Sequence, residues 1–174
     1  MLQSDLRFIA ARYALGILDS NALALAADEA IDGGIYTPDL ADVAAARQPI
    51  MSDIGPLFER ALAELNIPLP PLAEAAQFVL RELILRIADG RMAPRAGVAE
   101  LNKLHDETCA LRGREKVLGE CLGIEVLVGS HYAYDDLENP AAMCSFDGLV
   151  GHEAVLALDA ALVLRARRWL TDHP

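Results

Sequence analysis

Apolar residues recur at helical spacing along most of the chain, and the stops between those runs are legible. After Ser4, the residues Leu6, Ile9, Tyr13 and Ile17 stand three or four apart, which predicts a helix over about 5–18. Ser20 opens "NALALAADEAIDGG", a second run that ends at Gly33 and Gly34, where glycine accepts the left-handed conformation. In "YTPDLADVAAAR" Thr37 is the expected N-cap and Pro38 the first helical residue, where a missing N–H costs nothing. Ser52 or Asp53 then caps "DIGPLFERALAELN", whose Leu57, Ala61, Leu62 and Leu65 form one stripe.

The strongest break is "IPLPP" at 67–71, a candidate hinge, but also an ordinary length of connection between two helices of one domain. Beyond it, "PLAEAAQFVLRELILRIADG" is long and apolar enough for a central helix stopped by Gly90. Its Glu82 and Arg86 stand four apart in the favourable order. "APRAGVAELNKLHDETCALRG" continues with Leu101, Leu104 and Thr108 on one side. The stretch 114–137 is ambiguous, because "IEVLVGSHYAY" alternates as a strand does. A lone strand has nothing to pair with, so two short helices broken near Gly119–Gly123 are expected.

From about 149 to 172 a last helix carries two apolar stripes. Val155, Leu158, Leu162 and Trp169 form one; Leu156, Val163 and Leu170 form the other, with His152 and Asp159 along it. A helix apolar on two sides is either enclosed by its own bundle or shared with a second subunit, so a homodimer is expected. Asp159 is the one charged residue between Glu153 and Arg165. If it is buried it needs a partner, for which Arg86 and Arg12 are the candidates.

Composition narrows the function. The 174 residues suit one domain with a real core, and 53% hydrophobic content excludes general disorder. A net charge of −11, with Lys103 and Lys116 as the only lysines, argues against nucleic acid and suits a basic protein partner. Asp5 and Arg7 interrupt any signal-peptide core, and "AVLALDAALVL" is too short to span a bilayer. Cys109, Cys121 and Cys144 have irregular spacings without C-x-x-C, as expected of reduced thiols in a cytoplasmic protein.

"GSHYAYDDLENPAAMCSFDGLVGHE", residues 129–153, concentrates the polar chemistry. On a helix, His131 and Asp135 stand at i and i+4 and can face one point; Asp136, Asp147, His152 and Glu153 could complete an N/O shell for a divalent metal ion. That reading makes the chain a metal-dependent hydrolase using His131, Asp135, Asp136 and His152. It lacks H-E-x-x-H, since position 156 is leucine, and the acids equally suit helix ends. "KLHDETC" sets His105 four residues before Cys109, without the turn that an oxyanion site needs. Neither a P-loop, a G-x-S-x-G elbow nor G-x-G-x-x-G occurs. In contrast, Tyr132, Tyr134, Asp135, Asp136, Glu138 and Phe146 combine aromatic anchors with carboxylates, as protein interfaces do.

Four stretches, "YALGILDS" (13–20), "GGIYTPDL" (33–40), "HYAYDD" (131–136) and "LDAALVLRARRWL" (158–170), resemble ones in small all-helical bacterial proteins of uncharacterised function. Some of those are held to be immunity partners of bacterial toxins. The resemblance is loose, covers most of the chain, and implies a helical, non-catalytic, protein-binding role without assigning residues to it. The expectation is thus a compact all-α bundle of seven or eight helices in a single domain. It is cytoplasmic, without cofactor, and works as a protein-binding homodimer. The metal hydrolase and a bundle holding an apolar ligand between its N- and C-terminal halves are the alternatives.

Overall fold

The computed structural model describes residues 3–112, 123–139, 142 and 144–174, with residues 3–4 and 107–112 described as backbone alone. The fold is all-α: eight helices and no strand occur among the described residues. They are α1 (Gln3–Ala14), α2 (Ser20–Asp32), α3 (Pro38–Ala44), α4 (Met51–Glu64), α5 (Leu72–Ala88), α6 (Pro94–Arg112), α7 (Glu125–Glu138) and α8 (Gly151–Asp172). No described helix is long and apolar enough to cross a membrane. The chain divides into two compact units, Met1–Val79 and Leu80–Pro174, with the division falling inside α5 rather than at 67–71.

In the first unit α1 packs on α2, α2 on α3 and α4, and α3 on α4. Their shared core includes Leu6, Leu23, Leu40, Val43, Phe58 and Leu62. Thr37 caps α3 as expected, its Oγ1 accepting from the Leu40 N–H at 3.0 Å, with Pro38 as the next residue. Three ends differ from the expectation. α1 stops at Ala14 because Gly16 takes φ +71°. α2 is capped by Asp19, not Ser20: Asp19 Oδ1 accepts from the Ala22 N–H, while Ser20 Oγ donates to the Pro49 carbonyl. α4 begins at Met51 without a side-chain cap, and Ser52 bonds Asp53 instead.

The start of the proline-rich segment is tied to that core. Asn66 is left-handed at φ 57°, which lets the Ile67 N–H return to the Leu62 carbonyl at 2.8 Å and buries the Ile67 side chain. α4 and α3 are joined by a two-pronged contact, Arg60 Nε and Nη2 donating to the two oxygens of Asp39 at 3.0 and 2.7 Å.

In the second unit α6 packs along α7, α7 along α8, and α6 also meets α8. The end of α5 is bound to the end of α8: Arg167 Nε donates to the Ala88 carbonyl at 2.9 Å and Arg81 donates to that of His173. Glu82 and Arg86 form the expected i,i+4 pair at 2.8 Å. The alternating stretch 124–137 is helical, entered through Gly123 at φ 66°. The short helix expected before it lies outside the described residues. α8 starts two residues later than expected and runs 22 residues.

Candidate functional site

The polar stretch 129–153 folds as the end of α7, a connection and the start of α8. Helical phase decides what each side chain does. Residues two apart on a helix point about 200° apart. Tyr132 is therefore 59% exposed while Tyr134 is 1% exposed. The inward Tyr134 hydroxyl donates to Asp159 Oδ1 on α8, and the Arg95 guanidinium lies over its ring, 5.4 Å from the centroid. Burial, and then the hydrogen bond and charge of Asp159, push the Tyr134 hydroxyl far above the usual phenol range. The partner of Asp159 is thus a neutral phenol and neither of the expected arginines. A phenol from the adjacent helix hydrogen-bonds a half-buried carboxylate without bringing a second charge out of water.

Arg95, at the start of α6, also binds the end of α7. It donates to Glu138, and its Nη2 lies 3.6 Å from Asp135 Oδ1. The Glu138 hydrogen bond raises the Arg95 pKa further, so this cation stays charged. Two of the acids in the sequence-defined patch are consequently paired. Asp136 is exposed and has no partner among the described residues. Nor does the Tyr132 hydroxyl, whose ring is steadied edge-on by His131 at 5.2 Å between centroids. Glu125, Gly129, Tyr132 and Asp136 follow one another at spacings of four, three and four along the outward side of α7, all exposed. A Cβ added at Gly129 would meet only open space. Phe146, half-buried, is held apart from them in a tight turn. It exchanges backbone hydrogen bonds with Leu149 at 3.0 and 2.9 Å around Asp147 (φ 53°) and Gly148 (φ 77°).

The metal reading finds no support in this geometry. Among the described residues no three His, Cys, Asp or Glu side chains gather closely enough to hold an ion. Asp135 faces Arg95, His131 packs on Tyr132, and Asp147 serves the turn in which two successive residues have positive φ. His152 instead lines a surface pocket of about 510 Å³ with Leu137, Glu138, Asn139, Cys144, Val150, Gly151 and Val155. His105 is half-buried and 3.4 Å from Asp106, whereas the side chain of Cys109, like all of Cys121, lies outside the described residues.

Sequence reasoning missed Arg95, which no local spacing connects to residues forty positions later. It also missed the turn at 146–149, although Asp-Gly is the dipeptide that favours two left-handed residues in succession. Comparison with known proteins returns no match: no family model fits the chain, and no curated protein or solved structure is similar to it. The class that fold and site define is an all-helical protein with an acidic, tyrosine-centred helix face.

Proposed function

We propose that the chain is a non-catalytic module that binds a basic protein through the outward face of α7. The observation that carries this reading is Tyr132. Its ring is exposed at the middle of that face, and neither its hydroxyl nor Asp136, one turn away, has a partner among the described residues. A large, rigid, amphipathic ring loses little entropy when covered, and neighbouring carboxylates orient a cationic partner against it. Asp135 and Glu138, held by Arg95, form the rim. The net charge of −11 accelerates encounter with such a partner. An immunity-like role and a cytoplasmic setting accord with this reading, as does the exposed thiol of Cys144, which is in no disulfide among the described residues.

The test is retention on the immobilised chain of basic proteins, pre-selected on a cation exchanger. Specific retention should disappear above about 0.3 M salt, where exposed charge pairs are screened. Tyr132→Ala and Asp136→Lys should each abolish it while leaving the helical circular-dichroism signal unchanged. Retention that survives salt and both substitutions refutes the proposal.

A further inference from the structure

The outward side of α8 has an unusual order. Between Glu153 and Arg165 its exposed positions are Leu156, Ala160 and Leu164, and none is polar. Leu156 and Leu164 leave 54% and 65% of their surface in water. The buried Ala154, Leu158, Leu162 and Ala166 mark the opposite side, so the ridge lies at the centre of the solvent face rather than along a core margin. On a helix that serves only its own fold, that position is where charge is expected.

The three residues are spaced four apart, which makes them one i±4 ridge, the row that packs against its equivalent on another helix at about −50°. The small residue is in the middle, where two crossing helices approach most closely. The sequence around it is symmetric in the sense that a two-fold axis requires: leucines four residues to either side, an acid (Glu153) seven before, a base (Arg167) seven after. A two-fold through Ala160 therefore sets Leu156 of one copy beside Leu164 of the other. The same rotation brings Glu153 of one copy toward Arg167 of the other, twice. Both flanking charges are exposed, and the Arg167 Nε–H that bonds Ala88 leaves its terminal nitrogens for such a contact.

We propose that this face is the contact between two copies of the chain, with α8 crossing its symmetry mate antiparallel at Ala160. The ridge is self-complementary in shape and opposite in charge at its two ends, which selects a second copy over an unrelated partner. It is separate from the Tyr132 face of α7. The dimer would present that face twice, which turns weak single contacts into a bivalent one.

Sedimentation equilibrium of the full chain should give twice the 18.7 kDa chain mass at micromolar concentration. Ala160→Glu places two like charges at the axis and should weaken the dimer by at least about 100-fold. In a background with Cys109, Cys121 and Cys144 all replaced by serine, Ala160→Cys should form a disulfide between copies on mild oxidation. Thr171→Cys, eleven residues from the axis on the same exposed side, should not. This pair of cysteine variants answers the question even if Ala160→Glu fails to fold. A monomer at all concentrations, a dimer indifferent to Ala160→Glu, or cross-linking at 171 rather than 160 overturns the proposal.

Discussion

At the scale of single residues, two tyrosines are held neutral by their surroundings. Partial burial, with the Glu59 hydrogen bond and charge after it, pushes the Tyr13 hydroxyl up to about 12. Tyr134 is pushed further by deeper burial and by Asp159. Both folded values lie above the unfolded value of about 10. Their contribution is therefore complete below pH 10 and is lost as the pH rises through the folded values, because the unfolded chain ionises first. With only two lysines in the chain, few other groups titrate in that window. The urea midpoint should fall steadily between about pH 10 and 12, and the fall should be shallower in the Tyr13→Phe, Tyr134→Phe double variant. An equal alkaline slope in the two proteins would refute this assignment. At neutral pH Tyr134→Phe should itself cost about 1–3 kcal/mol, since Asp159 loses the one hydrogen-bond donor it has among the described residues.

Between elements, one position where α6 meets the end of α5 leaves no room for a side chain. A Cβ at Gly97 would fall 2.3 Å from Cγ1 and 2.5 Å from Cδ1 of Ile87, whose side chain is fully buried. In an isolated helix Gly→Ala stabilises by up to about 1 kcal/mol. Here the clash reverses the sign, and Gly97→Ala should destabilise by about 1–3 kcal/mol in chemical denaturation. Adding Ile87→Val, which removes Cδ1 and leaves a smaller side chain able to draw back, should recover part of that loss. A stabilised single variant would show that Ile87 yields freely. This contact was invisible in the sequence, because Gly97 and Ile87 belong to different helices and nothing local records their meeting. What is local was readable: the Thr37–Pro38 start, the Gly90 stop and the Glu82–Arg86 pair all depend on residues within four positions. Tyr132 and Tyr134 show the intermediate case. As members of one patch they would have to share a face, which residues two apart do on a strand but not on a helix. Once 124–137 is helical, only Tyr132 remains on the surface, and the site shrinks to the half of the patch that helical phase permits.

For the whole molecule, ionic strength separates the forces that hold the fold from those proposed to serve its contacts. A chain with 26 acidic and 15 basic residues repels itself at neutral pH. Ion pairs that salt would weaken, such as Arg91–Asp89 and Arg95–Glu138, are substantially exposed and individually worth little. Relief of the net repulsion should therefore win, and raising salt from about 0.02 to 0.3 M should increase the melting temperature by a few degrees. Capture of a basic partner by the Tyr132 face should respond in the opposite direction over the same range, because there the interacting charges are of opposite sign. The α8 contact should lie between, since its centre is apolar and only the Glu153 and Arg167 ends are charged. Its dissociation constant should change less than about tenfold over that range. Measuring melting, self-association and capture on one preparation along one salt series checks the three together. A melting temperature that falls with salt would mean that the exposed ion pairs outweigh the net charge, and that the acidity is built into the fold instead of being available to a partner.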